Sequence, residues 1–237
     1  MSGFGYINDG KINMRVYTML NNFNRTYVLP FKYEIPHYTK DYLDNTSYFK
    51  RFTKFMRRYL FIWLSGQSKL EQQSIQEKHK NILWINLSAP SLGDSLMDLS
   101  SRILLEDKNV DVYTDKKNAH IYQHDDIFKS VITDENGIEK DKYDLVIIDS
   151  YSTRSLKIKI KNLKATPYVG MYGYYNGPEV NRVLYSFHQM NHLLEYKIDE
   201  EIINSTSKAN MYISKVDQEK IDSINLPKQY VAIVLGG

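Results

Sequence analysis

The sequence predicts an α/β fold in which parallel strands alternate with helices from residue 81 onward. Apolar runs at 82–87, 143–149 and 230–235 have the length and composition of buried strands. Amphipathic segments with helical spacing separate these runs, and this alternation is typical of a parallel sheet with right-handed crossovers. Residues 1–80 lack the alternation, and we expect them to be mostly helical or irregular.

The elements of the predicted sheet domain follow in a regular order. The first strand, 82–87, leads through a turn at 88–93 to Asp94, which opens an amphipathic helix. The central strand, 143–149, is rich in apolar residues, as in a strand that is covered on both faces. Further strand candidates are 110–114, 130–132 and 168–172, and the helical candidates are 119–124, 154–164 and a long helix that starts at 177–179.

These patterns divide the chain into three parts. Residues 1–80 form a basic, aromatic extension, residues 81–228 form a sheet domain, and residues 229–237 are the first strand of a further domain. The strand at 230–235 runs directly into Gly236 and Gly237, as at the start of another domain. We therefore expect the chain to be incomplete and inactive alone.

The composition excludes several kinds of functional site and cellular location. The chain has no cysteine, which excludes disulfides, thiolate metal sites and a cysteine nucleophile. A net charge of +3 is too small to indicate a nucleic-acid partner. The N-terminus lacks a signal-peptide pattern, and no apolar run approaches the roughly 20 residues that span a bilayer. We expect a cytoplasmic protein.

The loop at Gly93 and Asp94 is the main candidate for chemistry. Ligands of parallel sheets bind beyond the carboxyl ends of the strands, and this loop follows the first strand. Asp94 could act as a general base that accepts a proton from a hydroxyl group. The alternative is a structural N-cap, which stabilises a helix by about 1 kcal/mol without chemistry. Spacing alone favours the N-cap.

Other familiar sites are missing from the sequence. The glycine pattern of dinucleotide-binding loops and the Gly-Lys-Ser/Thr of a P-loop are both missing. His120 and His124 have a spacing suited to metal ligands, but no glutamate lies between them. We expect no metal and no cofactor.

The stretch from Ile82 to Leu96 resembles the opening of glycosyltransferase family 9, the lipopolysaccharide heptosyltransferases of bacteria. The similarity continues in order along residues 81–237. It includes the central strand at 142–149, Arg154 with Ser155, the segment 167–170, the helix start at 179–182 and the final strand. The resemblance rests on the order of these segments along the chain and not on one motif.

The resemblance implies a Rossmann-like domain that is the N-terminal half of a GT-B glycosyltransferase. It implies inverting transfer of a sugar from a nucleotide sugar, ADP-heptose, to a lipopolysaccharide-core or related glycan, without a metal. The catalytic aspartate of the family falls on Asp94, and the nucleotide sugar would bind in a second domain. The residues that we predict to contact substrate are Ser91, Gly93, Ser95, Arg154 and Ser155. For Arg154 a solvated helix face is the alternative.

The sequence departs from the family in two places within this chain. The loop before Gly93 is one residue longer and contains Pro90, which could shift the carboxylate, and the 80-residue extension is unusual. A competing hypothesis is a non-catalytic, membrane-associated glycan-binding domain derived from a transferase.

Residues 49–63 of the extension predict an amphipathic helix. The aromatic residues cluster on one side at about 100° per residue. The opposite side is basic, with Lys50, Arg51, Lys54, Arg57 and Arg58. Such a helix could pack on the sheet domain with a solvated basic face, which is the reading that the pattern favours. It also suits an anionic membrane interface, which would attach the protein peripherally to the inner face of the cytoplasmic membrane. A nucleic-acid contact is a weaker alternative.

Overall fold

The computed structural model describes residues 19, 20, 23, 47–175 and 181–224. This part of the chain forms a five-stranded sheet in the order β3-β2-β1-β4-β5, with every neighbouring pair parallel. The predicted Rossmann-like α/β class is therefore confirmed. The strands are β1 (Asn81–Asn86), β2 (Asn109–Thr114), β3 (Phe128–Ile132), β4 (Leu145–Ser150) and β5 (Tyr168–Gly173).

Helices flank the sheet within the described residues. They are α1 (Tyr48–Leu64), α2 (Leu92–Asp98), α3 (Lys116–Ala119), α4 (Thr153–Asn162), α5 (Arg182–Leu193), α6 (Glu200–Thr206) and α7 (Lys215–Ser223). Short 3₁₀ turns lie at Gln67–Lys69, Ser100–Leu105, His120–Tyr122 and Glu135–Gly137.

The central strands are apolar because both faces of the sheet are covered. Alternate residues of β4 pack into two separate clusters, with Val146 and Ile148 on one face and Leu145 and Ile147 on the other. All four side chains are fully buried, as the apolar run at 143–149 predicted. The face with Val146 is covered by α1 and α4, and α5 packs with α2 and the adjoining 3₁₀ turn on the other face.

The described end of the N-terminal extension packs against the sheet domain. Phe55 and Ile62 of α1 are buried in the same cluster as Val146. Glu71 bridges to Tyr168 in parallel, so the segment after α1 extends the sheet beside β5. Residues 47–80 therefore share the core of the domain that follows.

The fifth strand matches its prediction, because β5 (Tyr168–Gly173) covers the expected range 168–172. Gly170, in the segment 167–170 that resembles the family, lies within this strand. Gly170 has a packing role, because a Cβ there would lie 2.6 Å from the Tyr151 hydroxyl oxygen. The predicted helix start at 177–179 and the strand at 230–235 lie outside the described residues. The described helix α5 begins at Arg182, with Asn181 as its N-cap.

Candidate active site at the carboxyl edge of the sheet

The strand order creates a crevice between β1 and β4. The chain proceeds from β1 to β2 and β3 on one side and then crosses to β4 and β5 on the other. The loops after β1 and β4 therefore diverge at the edge of the sheet formed by the carboxyl ends of the strands. Ligands of open α/β sheets bind at this switch point.

Asp149 ties the two diverging loops together. Its Oδ2 accepts hydrogen bonds from the backbone N–H groups of Leu87 (2.7 Å) and Ser88 (2.5 Å), which follow β1. Its Oδ1 accepts from the N–H of Ser150 (2.6 Å) and the hydroxyl of Ser155 (2.9 Å). Burial raises the pKa of Asp149, and these hydrogen bonds oppose that effect. The buried carboxylate thus fixes the start of the loop that carries Asp94.

A capping box begins α2 and sets the position of Asp94. Ser91 is the N-cap, and its hydroxyl accepts a hydrogen bond from the N–H of Asp94 (3.3 Å). In return, Oδ2 of Asp94 accepts from the N–H of Ser91 (3.1 Å) and from its hydroxyl (2.5 Å). The alternative that made Asp94 the N-cap is therefore wrong, because Asp94 is the third residue of the helix and Ser91 is the cap.

Arg182 contacts Asp94 from the start of α5. Its Nη1 donates to Oδ1 of Asp94 at 2.6 Å, and its Nε donates to Oδ1 of Asp98 at 2.8 Å. One guanidinium therefore joins two carboxylates that lie one turn apart on α2. The side chain of Asp94 stays 22% exposed, whereas that of Asp98 is 3% exposed.

Asp98 is the buried member of this cluster. Tyr172, near the end of β5, donates its hydroxyl to Oδ1 of Asp98 at 2.6 Å. Burial raises the pKa of Asp98 to about 6, although Arg182 and the Tyr172 hydroxyl favour the ionised form. The cluster links α2, β5 and α5 at the carboxyl edge of the sheet.

Sequence reasoning did not identify Asp98, Tyr172 or Arg182 as site residues. The available signal was the spacing of Asp94 and Asp98, which places two carboxylates on one helix face. Nothing in the sequence brings Arg182 to that face, because 84 positions separate it from Asp98.

The predicted substrate residues Ser95 and Ser155 lie inside the protein. The Ser95 hydroxyl donates to Oδ1 of Asn86 (2.8 Å) and lies 3.0 Å from the Tyr122 hydroxyl. The Ser155 hydroxyl contacts Asp149, as described above. Both side chains are fully buried, so the structure gives them the role of fixing loops and not of contacting a substrate.

The other predicted substrate residues border open space. Ser91 and Gly93 are exposed, and a Cβ added at Gly93 would meet nothing within 4 Å. Arg154 is 59% exposed, forms an ion pair with Asp115 and lies 3.4 Å from the carbonyl oxygen of Leu87. Its guanidinium therefore lies beside the loop after β1, with a carboxylate partner already in place.

The basic residues of α1 differ in their exposure. Lys50, Lys54 and Arg57 are exposed, but Arg51 and Arg58 are only partly exposed. Burial and then the charge of Arg57 lower the pKa of Arg58. The structure therefore separates the five cations into three that are exposed and two, Arg51 and Arg58, that α1 turns partly towards the domain.

Metal-ligand clusters and membrane-spanning helices are both missing from the described residues. Within 47–175 and 181–224, together with residues 19, 20 and 23, no group of three or more histidine and carboxylate residues is placed to hold a metal ion. No helix in this part of the chain is long and apolar enough to cross a bilayer.

Comparison with known proteins finds a similar solved structure but no matching sequence. No family model and no curated protein matches the chain. Among solved structures, the glycosyl transferase family 9 from Veillonella parvula DSM 2008 is similar, with a TM-score of 0.45 and 14% sequence identity. The match covers 65% of this chain and 52% of that chain, so this chain spans about half the length of that protein.

Proposed function

We propose that this chain is the acceptor-side half of an inverting glycosyltransferase in which Asp94 is the general base. The observation that carries the proposal is the position of its carboxylate. It lies at the β1–β4 switch point, partly exposed and fixed by Ser91 and Arg182. The ordered resemblance of residues 81–237 to glycosyltransferase family 9 supports the same reading of Asp94.

The hydrogen bonds of Asp94 leave one lone pair of its carboxylate open to accept a proton. A carboxylate has about four lone-pair positions. Of the described residues, Ser91 provides both donors to Oδ2, and Arg182 provides the donor to Oδ1. One lone pair of Oδ1 is therefore open to an acceptor hydroxyl within hydrogen-bond reach.

The proposed reaction is a single displacement. The acceptor hydroxyl oxygen forms a bond to the anomeric carbon of the sugar, opposite the nucleoside diphosphate. The bond between that carbon and the diphosphate oxygen breaks, and the diphosphate leaves with the electron pair. The hydroxyl proton passes to Asp94. We propose ADP-heptose as donor and a lipopolysaccharide-core or related glycan as acceptor, because these follow from the family resemblance.

The proposed acceptor lies over the loop after β1. Gly93 and Ser91 line open space beside the carboxylate, and Arg154 stands at the side of the loop. A phosphate on the acceptor could pair with Arg154 if it displaced Asp115 or shared the guanidinium with it. The resemblance implies that the nucleotide sugar binds in a second domain, so we propose that the described residues supply the acceptor site and the base.

The test is sugar transfer by the protein expressed from its complete open reading frame. ADP release from ADP-heptose in the presence of a soluble core oligosaccharide would be measured, with the anomeric configuration of the product determined by NMR. We expect inverted product from the wild-type protein and transfer at least about 10²-fold slower from Asp94→Asn. Retained configuration, or unchanged transfer by the variant, would refute the mechanism.

A non-catalytic glycan-binding domain is the second candidate. One observation favours it: both oxygens of Asp94 already have partners inside the protein, as in a purely structural cap. This candidate predicts binding of core oligosaccharide in calorimetry without ADP release, and equal binding by the Asp94→Asn variant.

A further inference from the structure

The outward face of α1 combines exposed apolar and basic side chains. Phe49 and Leu64 are 73% and 74% exposed, and Trp63 is 51% exposed. Exposed large apolar side chains that cluster together mark sites of interaction with a partner or a membrane. Among the described residues, no layer covers this part of the helix.

The basic residues lie beside these apolar residues and not opposite them. At 100° per residue, Phe49, Trp63 and Leu64 share one side of an arc of about 180°, and the three exposed cations share the other side. These cations are Lys50, Lys54 and Arg57. The helix has no acidic residue, and the neighbouring cations Arg58, Arg57 and Lys50 add to burial in lowering the pKa of Lys54. The face is thus positively charged and partly apolar at the same time.

The opposite face of α1 is buried against the sheet domain. Phe55 and Ile62 are buried in the core cluster, so the helix cannot turn its other side outward without opening the core. The rings of Phe55 and Tyr174 lie 5.2 Å apart, and Tyr174 follows the carboxyl end of β5. This contact places α1 beside the edge of the sheet that carries Asp94.

We infer that the outward face of α1 binds the surface of an anionic lipid bilayer. Phe49, Trp63 and Leu64 enter the boundary between head groups and acyl chains, and Lys50, Lys54 and Arg57 contact the lipid phosphates. Interfacial helices combine an apolar side with lysine and arginine in this way, and each cation near the surface adds to the attraction. A bilayer surface suits this face because anionic head groups and apolar acyl chains meet at one boundary, as the basic and apolar side chains do here. The inference does not depend on the proposed transfer activity.

The two tryptophans of the chain provide a direct readout. Trp63 is half-exposed on this face, and Trp84 in β1 is fully buried. When the wild-type protein is mixed with vesicles of phosphatidylglycerol and phosphatidylcholine, we expect a blue shift of tryptophan emission together with sedimentation. Trp63→Phe should abolish the shift, because the remaining tryptophan already lies in the core.

Charge-reversal variants test the electrostatic contribution to vesicle binding. The triple variant Lys50→Glu, Lys54→Glu, Arg57→Glu should partition into anionic vesicles at least about tenfold more weakly than wild type. The control reverses three exposed lysines elsewhere, Lys129, Lys208 and Lys215, and so changes the net charge equally. We expect the control to bind distinctly more tightly than the α1 variant.

Replacing apolar residues by serine tests whether their side chains insert into the bilayer. Phe49→Ser with Leu64→Ser should weaken binding, whereas Val216→Ser with Ile224→Ser, at exposed sites on and after α7, should not. Equal loss in both charge variants, equal binding to pure phosphatidylcholine, or self-association without vesicle binding would each overturn the inference. Because the transfer assay uses a soluble acceptor, the failure of either proposal can be recognised separately.

Discussion

Arg182 and Asp94 form an ion pair of 2.6 Å across the candidate site, although 88 positions separate them in the sequence. The same guanidinium pairs with the buried Asp98. Arg182 therefore both positions the proposed base and compensates a carboxylate that burial would otherwise destabilise.

Replacing Arg182 should lower stability more than the loss of a surface charge would. Arg182→Met leaves the carboxylate of Asp98 buried with only the Tyr172 hydroxyl as a described donor, and we expect unfolding free energy to fall by about 3 kcal/mol. Arg182→Lys keeps the charge but cannot bridge both carboxylates, so a smaller loss is expected. Urea unfolding at pH 7 measures both. If the urea midpoint of Arg182→Met equalled that of the wild-type protein, the guanidinium would not stabilise the fold.

The pKa of Asp98 predicts how stability depends on pH. Because the folded value is raised from 3.8 to about 6, the folded protein binds more protons than the unfolded chain between these values. The contribution of Asp98 to unfolding free energy is most favourable below about pH 4. It falls by roughly 2–3 kcal/mol as pH rises through 6.

Asp98→Asn should remove this contribution. Urea midpoints at pH 4.5 and pH 6.5 would be compared for wild type and variant, so that the other titrating groups cancel. As pH rises from 4.5 to 6.5, we expect the urea midpoint of the variant to fall less, or to rise more, than that of the wild-type protein. Parallel pH profiles for the two proteins would contradict the assignment of the shifted pKa to Asp98.

Asp149 should be sensitive even to an isosteric change. Asp149→Asn replaces one acceptor oxygen with a donor that faces N–H groups or the Ser155 hydroxyl, and we expect a loss of about 3 kcal/mol. Asp144→Asn is a matched control, because Asp144 accepts from the N–H groups of Lys80 and Asn81 at the opposite, exposed end of the same strands. We expect the control to lose at most about 1 kcal/mol. Equal losses in urea unfolding would refute the special role of the buried carboxylate.

Two glycines should respond to alanine in opposite ways. Gly170→Ala forces the Tyr151 ring to move and should cost about 1–3 kcal/mol. Gly93→Ala meets no atoms, and stability should be unchanged or raised by up to about 1 kcal/mol. If an acceptor lies against Gly93, the same variant should raise KM for the acceptor. Thermal unfolding and steady-state kinetics separate these effects, and equal Tm changes in the two variants would contradict the packing argument.

The sheet could be predicted because its signal is local. Residues Leu145–Ile148 are apolar in succession, and such a run is needed wherever both faces of a strand are covered. The loop at Gly93 and Asp94 could be located for the same reason, since it follows directly on β1. Strand β3 was harder, because only Phe128 and Ile132 of its five residues are buried.

The rest of the site could not be predicted, because it depends on contacts between segments that are distant in the sequence. The meeting of Asp98 with Arg182 and Tyr172 requires α5 and β5 to be placed next to α2. The orientation of α1 is a similar case. Apolar residues cover much of its circumference, so the helix alone does not determine which arc meets the core. Packing buries Phe55 and Ile62 and leaves Phe49 outside.

The comparison of Asp94→Asn with Asp217→Asn tests the central claim most directly. Asp217 is a matched control, because the Ser214 hydroxyl accepts from its N–H (3.1 Å) and donates to its carboxylate (2.7 Å), as Ser91 does with Asp94. Both variants would be measured for kcat/KM in ADP release with the complete protein. We predict a loss of about 10²-fold or more for Asp94→Asn and no change for Asp217→Asn. Equal activity of the two variants would contradict the assignment of Asp94 as the base.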